Sequence, residues 1–233
     1  MVAYNKRFDG RKFDELRPME VKVGVVPRAN GSAMFKVGNT VAIAAVYGPK
    51  ELYPAFLQDP TKGILRCEYN MTAFSGSGER VRPGGNRRSK EISLVTEKAL
   101  LPMLDLSDYS GAVVDVFIEL IQTDAGTRCA GITAASLALA DAGIPMKDLI
   151  TSVSAGKVED KLLVDLTYEE DSYPHGVDMP IAMSTRTGQI TLLQMDGKLT
   201  KEEAEKLLEM ATKACKEIKE IQIRALKEKF IGA

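Results

Sequence analysis

The chain has 233 residues, with 31 Lys and Arg against 32 Asp and Glu, a formal net charge of −1, 45% hydrophobic residues and 27% charged ones. That balance excludes a mostly disordered chain and a bulk-basic nucleic-acid binder, so any contact with a polyanion must come from local patches. The N-terminal stretch MVAYNKRFDGRKFDELRP lacks an apolar segment and no run of about 18 apolar residues follows, which predicts a soluble cytoplasmic protein that does not enter a membrane.

In chain order, Ser32 to Val46 reads as two strands folded about Gly38-Asn39, with alternating and β-branched apolar residues on either side. A helix follows, with Ser89 as its expected N-cap, Ile92, Val95 and Ala99 on one face, and Pro102 beyond its end. IQTDAGTR, from Ile121, opens as a strand and turns on Gly126. The second helix is expected from about Ala130 to Ala142, stopped by Gly143 and Pro145, and its small apolar interior predicts close packing. Ile181 to Ser184, a turn around Gly188, and Ile190 to Met195 repeat the first hairpin. Thr200 and Glu203 stand in capping-box spacing before Ala204, Leu207, Leu208, Ala211, Ala214, Cys215, Ile218 and Ile221, so one amphipathic helix closes the chain. Strands followed by a helix, three times over, predict an α+β fold: two related βα halves, approximately 1–105 and 106–233, packed as one domain over 1–233.

Cys67, Cys129 and Cys215 are far apart and unmatched by a histidine cluster, which predicts reduced structural thiols. With His175 as the only histidine, carboxylates and arginines are the remaining catalytic material. Gly126, Thr127 and Arg128 stand at a helix entrance, where amide hydrogens, a hydroxyl and a guanidinium can converge on one anion. They also read as a plain turn with Thr127 as N-cap. In RVRPGGNRRSKEIS, Arg80, Arg82, Arg87 and Arg88 crowd a Gly-Pro loop, either a polyanion contact or a solvated basic loop. Arg66 and Tyr69 join a charge to a ring, which suits phosphate gripping and base stacking, although a lone tyrosine also fits a core. In YEEDSYPHGVDMP, Asp171 and Asp178 flank a loop and can bind Mg²⁺ or protonate a leaving group, whereas Glu169 and Glu170 read as surface residues. No G-x-x-x-x-G-K-[ST] loop occurs.

Taken together, RFDGRKFDELRP, GSAMFKVGNTVAIAAVYGP, LRCEYNMTAFS, RRSKEIS, DAGTRCAGITAASLALADAGIPM and VDMPIAM resemble the ribonuclease PH family, most closely the catalytic ring subunits of archaeal RNA exosomes, in order over nearly the whole chain. The resemblance implies a ribonuclease PH-like fold, related to domain 2 of ribosomal protein S5. It implies 3′-to-5′ phosphorolysis of single-stranded RNA, with inorganic phosphate as co-substrate, and addition of 3′ tails in reverse. By the same likeness Arg88, Gly126, Thr127 and Arg128 hold phosphate, Asp171 and Asp178 are the active-site aspartates and the ligands of Mg²⁺ or Mn²⁺, and Arg66, Tyr69, Arg80 and Arg87 lie along the RNA path. The loop from Asp171 to Asp178 is one residue longer than the family spacing. Phosphate is already an anion and needs positioning more than a strong base, so Asp171 is expected to protonate the departing 3′-oxygen while Asp178 helps hold the metal. The relatives form a six-membered ring, a trimer of heterodimers with an inactive paralogue, and carry RNA-binding cap subunits. Competing expectations are a homohexameric ribonuclease PH trimming transfer RNA, a non-catalytic RNA-binding ring member, and a hydrolytic metal-dependent nuclease.

Overall fold

The computed structural model describes residues 4–77, 82 and 85–231. The first sheet grows around the expected hairpin: β2 (Gly31–Val37) and β3 (Thr40–Glu51) meet at Gly38-Asn39, with Val37 opposite Thr40. Their alternation sorts the faces, for Ala33, Phe35, Val37, Ala42, Ala44 and Val46 are all buried. β1 (Met19–Val23) extends one side, while β5 (Ala112–Gln122) and β4 (Ile64–Met71) extend the other, giving the order β1-β2-β3-β5-β4. β4 runs parallel to β5 and all other pairs are antiparallel. The second sheet contains β6 (Ile150–Val158), β7 (Lys161–Val164), β8 (Val177–Ser184) and β9 (Ile190–Leu193), ordered β7-β6-β8-β9. Because β5 belongs to the first sheet, the sheets change over between Gln122 and Ile150, and the expected division at 105/106 does not follow them.

Three long helices lie between the sheets. α1 (Arg87–Leu100) touches β4 and β9, α2 (Thr127–Asp141) touches β2, β3 and β5 on one side and β6 and β8 on the other, and α4 (Lys201–Ile231) touches β1 and β6 to β8. The result is a β/α/β sandwich in which α2 is buried all round, as a helix without a polar face must be. Its small residues are the condition for that position. A Cβ on Gly31 of β2 would lie 2.2 Å from the Ala142 nitrogen and 2.4 Å from the Ala138 oxygen, so the strand rests directly on the end of the helix. The hydroxyls within α2 are occupied too: Ser136 Oγ accepts from Ile150 N at 2.8 Å and Thr133 Oγ1 from Ser152 N at 3.2 Å. Gly143 (φ +73°) ends the helix in a Schellman arrangement, with Ile144 N donating to Leu139 O and Gly143 N to Ala140 O.

Several boundaries differ from expectation. α1 is capped by Asn86, whose side chain accepts from Ser89 N at 2.7 Å, so Arg87 and Arg88 sit in its first turn. Its buried stripe is Ile92, Thr96, Ala99 and Leu100, one step round from the expected Ile92, Val95 and Ala99. α2 starts at Thr127 and takes Gly126 (φ +61°) as N-cap, so Thr127 is its first helical residue and caps nothing. The capping box of α4 forms as expected, Thr200 N to Glu203 Oε2 at 2.9 Å and Glu203 N to Thr200 Oγ1 at 3.2 Å, and the helix runs ten residues past Ile221. Cys67, Cys129 and Cys215 are free thiols, as predicted, and burial pushes Cys129 and Cys215 up to about 12. No described helix is long and apolar enough to cross a membrane.

The charged N-terminal stretch is the largest departure. Arg7 is fully buried against Glu170, donating from Nε to Oε1 at 2.8 Å and from Nη2 to Oε2 at 2.7 Å, and Tyr4 Oη donates to the same carboxylate at 2.7 Å. Glu170, expected on the surface, is therefore a core anion. It closes the first turn of α3 (Tyr168–Asp171) by accepting from Thr167 N at 2.9 Å. Two charges can leave water here only because each satisfies the other.

Replacing Gly31 with Ala tests the contact between β2 and α2. Overpacking against backbone that cannot retreat should destabilise the fold by about 1–3 kcal/mol, read from urea unfolding.

Candidate active site

The N-termini of α1 and α2 open into one cleft of about 690 Å³. Asn86 and Arg88 come from α1, Gly126, Thr127 and Arg128 from α2, Asp171 from the end of α3, Asp178 from β8, and Gln194 and Asp196 from the segment after β9. Ala125 (φ +51°) and Gly126 (φ +61°) are consecutive left-handed residues that swing the chain from β5 into α2. Among the described residues no side chain caps α2, so its leading amides and the positive end of its dipole face the cleft.

Arg128 is steered by residues that sequence reasoning did not single out. Its Nη1 donates to Gln194 Oε1, Gln194 Nε2 donates to Glu91 Oε1 at 3.2 Å, and Arg128 Nη2 lies 3.4 Å from that same carboxylate oxygen. Arg128 Nε is buried and has no partner among the described residues. A buried charged donor left open in a cleft is an unmet demand for an acceptor.

Facing the arginines are three carboxylates. Asp178 is pushed up to about 6, first by burial and then by the Asp171 and Asp196 charges, against the lowering effects of a hydrogen bond from Ser154 Oγ and of the Arg128 charge. Asp171, exposed at the rim, is raised by burial of its carboxyl and by Asp196 and lowered by Arg88 and Arg128. In the loop between Asp171 and Asp178 His175 adopts φ +62°, and both aspartates line the same cleft. Asp196 was not anticipated. It pairs with Asp178 across the second hairpin through two backbone bonds of 3.1 and 2.8 Å, a register reached only past the irregularity between Ala182 and Met183. Counting outward from the turn places Met195 there instead.

The structure thus gathers Arg88, Gly126, Thr127, Arg128, Asp171 and Asp178. The expected RNA-path residues are dispersed. Tyr69 is 2% exposed, with its ring edge facing Gly131 of α2, so it has no free face for a base to stack on, which corrects the expectation. Arg66 projects from the other face of β4, donating from Nε to Asp115 Oδ1 at 2.7 Å and from Nη2 to Oδ2 at 3.0 Å, with Lys50 Nζ 2.8 Å from the same carboxylate. Arg87 is exposed beside the cleft without lining it, and Arg80 lies outside the described residues.

Comparison with known proteins identifies the family. Models of the 3′ exoribonuclease family match domain 1 over residues 15–145 and domain 2 over residues 148–214. The chain belongs to this ribonuclease PH family of 3′ exoribonucleases and has its α+β fold. It is 54% identical to the exosome complex component Rrp41 of Pyrococcus furiosus over 226 residues, covering 97% of this chain and 90% of that protein. The Methanopyrus kandleri Rrp41 is 50% identical, with 97% and 94% covered. Among solved structures, an Archaeoglobus fulgidus exosome with RNA bound to the active site superposes with a TM-score of 0.78 at 27% identity, over 97% of this chain and 93% of that one. Rice Rrp46 shares the fold with a TM-score of 0.84 at 23% identity, over 95% and 100%.

The raised Asp178 carboxyl has a consequence for stability. A folded-state value of about 6 against an ordinary 3.8 means that the folded protein holds a proton that the unfolded chain releases. Stability therefore falls as pH rises from about 4 to about 6, and the ionised carboxylate is a burden at pH 7. Asp178→Asn keeps the oxygen facing Ser154 and should raise stability at pH 7 by roughly 2–3 kcal/mol, with the gain vanishing near pH 4. Denaturant unfolding of both forms across pH 4–8 measures it.

Proposed function

We propose that this chain is the catalytic subunit of an archaeal-type exosome ring, shortening single-stranded RNA from its 3′ end by phosphorolysis. The supporting observation is the pairing, in one cleft, of an anion seat at the N-terminus of α2 with two carboxyls raised above the ordinary carboxylate range by burial and by neighbouring acids. Inorganic phosphate would sit against the Thr127 and Arg128 amides, with the Arg128 guanidinium, already aimed by Gln194 and Glu91, and Arg88 neutralising its charge. A phosphate oxygen attacks the phosphorus of the last phosphodiester, the bond to the 3′-oxygen of the preceding nucleotide breaks, and a nucleoside diphosphate leaves. That 3′-oxygen takes a proton, which we assign to Asp171 because it stands at the open rim where an RNA end enters. In the reverse direction the same groups hold the diphosphate while a 3′ tail is added.

A divalent metal suits the oxygen-only character of Asp171, Asp178 and Asp196, although among the described residues no three such side chains converge into a ready metal cage. Mg²⁺, or Mn²⁺ in its place, would be held by Asp178 and Asp171 together with substrate and water, as Mg²⁺ commonly is. When bound, it supplies charge neutralisation at the phosphates and relieves the crowding that raises Asp178. In this reading the chain works in the cytoplasm in a hexameric ring with a ribonuclease PH-like paralogue and RNA-binding caps; the likeness to exosome components supports its place in a multi-subunit assembly. Arg66 and Arg87 would follow the RNA outside the cleft, and we assign Arg80 to RNA contact as well.

Three results test this reading, with the paralogous subunit present. Wild type should release nucleoside diphosphates at a rate that rises with phosphate; monophosphates, or a rate indifferent to phosphate, would indicate hydrolysis. Arg128→Ala should lower turnover at limiting phosphate by roughly 10²-fold, with much of the loss recovered at saturating phosphate. Asp171→Asn should stop turnover while leaving RNA affinity near wild type in a filter-binding titration. Continued turnover removes Asp171 from the donor role.

A further inference from the structure

We propose that Asp124 is a positioning residue that fixes the spacing between the anion turn and Asp171, acting from beneath the cleft together with Arg17. The inference rests on the functional reading above in placing Asp171 at the chemistry, but its geometry stands independently. Asp124 links the two sides of the cleft by separate groups. Its backbone belongs to the anion turn: Asp124 N donates to Thr40 Oγ1 at 2.9 Å, Thr40 Oγ1 donates on to Ala125 O at 2.7 Å, and Arg17 Nη1 donates to Asp124 O at 2.6 Å. One oxygen of its side chain reaches the carboxylate side, Oδ1 accepting from Tyr168 N, the first residue of α3, at 3.0 Å, while Oδ2 accepts from Asn39 Nδ2 of the β2–β3 turn at 3.1 Å and lies 3.8 Å from Arg17 Nη1. Asp171 is the last residue of that four-residue helix, one turn from the contact.

Arg17 closes the link from below. Its Nη2 donates to Asp165 Oδ1 at 2.7 Å and its Nε lies 3.0 and 3.1 Å from the two oxygens, while Arg17 N donates to Oδ2 at 2.7 Å. Asp165 (φ +55°) directly follows β7 and leads through Leu166 and Thr167 into α3. A Cβ on Gly126 would meet Arg17 Nη2 at 3.3 Å, so the guanidinium lies directly under the anion turn. Arg17 and Asp165 are almost wholly buried, which keeps the pair from being screened. The first amide of α3 is one that no helix satisfies from within, and a carboxylate is the acceptor that its dipole favours. A displacement of about 1 Å between reacting groups is enough to cost about 10²-fold in rate, so a short, single-bonded link of this kind has kinetic leverage out of proportion to its energy.

The test separates the bond from the side chains around it. Asp124→Ala removes the acceptor, Asp124→Asn retains an oxygen for Tyr168 N, and Tyr168→Pro removes the donor at a first-turn position where Pro is tolerated and where Thr167 (φ −82°, ψ 168°) already has the backbone a following Pro requires. Tyr168→Ala retains the N–H and isolates the effect of losing the ring. Turnover is measured with the paralogous subunit present and expressed per RNA-binding site titrated, so that loss of folded protein does not count. We expect Asp124→Ala to lose at least tenfold in kcat with RNA affinity within threefold, Asp124→Asn to recover to within threefold of wild type, and Tyr168→Pro to fall at least tenfold below Tyr168→Ala. The proposal is overturned if Asp124→Ala stays within threefold of wild type, if Asn is as poor as Ala, or if Tyr168→Pro matches Tyr168→Ala. Should wild type release monophosphates, phosphorolysis fails, while the same rate ratios still decide whether the Asp124 link controls the chemistry.

Discussion

The close approach of α2 to both sheets is the constraint on which the rest depends. A helix can be buried on every side and lie close against both sheets only if its side chains are short, and α2, unlike α1 and α4, meets that condition with Ala, Gly, Ser and Thr at most of its positions. The contact with Gly31 sets its height and the hydroxyls of Thr133 and Ser136 set its rotation against β6. A helix fixed in this way has a fixed N-terminus. The amides that point into the cleft are held by the core of the protein, and the arginine that follows them needs no large packing partner of its own because its task is at the mouth.

Around that fixed point the charges are arranged in two depths. Deep in the fold, Arg7 with Glu170 and Arg17 with Asp165 are closed pairs that join the N-terminal stretch to the segments around α3. At the cleft, Arg88 and Arg128 face Asp171, Asp178 and Asp196, and the balance there is left incomplete: among the described residues one guanidinium nitrogen lacks a partner, and two carboxyls are pushed upward by burial and by neighbouring acids. Satisfied pairs below and unsatisfied ones above are what a rigid site prepared for a charged ligand requires, since the groups that bind must not be neutralised by their own neighbours.

Where local chemistry decides, the sequence was readable. Gly38-Asn39 punctuates the first hairpin, Thr200 and Glu203 start α4, and the residues at the entrances of α1 and α2 do meet in one cleft. What escaped depends on partners far away in the chain. Glu170 reads as one more surface acid in a run of three, and only Arg7, 163 residues distant, makes it a core residue. Asp196 is hidden by an irregularity in the hairpin that shifts the register by one. Tyr69 was misread even though its own strand carries the signal: Leu65 and Tyr69 share the parity that faces the helices, while Arg66 has the parity that faces away. In α1, both Asn86 and Ser89 are suitable caps, and the earlier one prevails because its carbonyl-bearing side chain reaches the Ser89 amide.

The anion site proposed at the N-terminus of α2 is tested most directly by a crystal structure of the assembled ring soaked with inorganic phosphate. The account predicts phosphate within hydrogen-bonding distance of the Thr127 and Arg128 amides, with the Arg128 guanidinium turned onto it. Phosphate bound elsewhere in the ring while that end of α2 faces only water would contradict it.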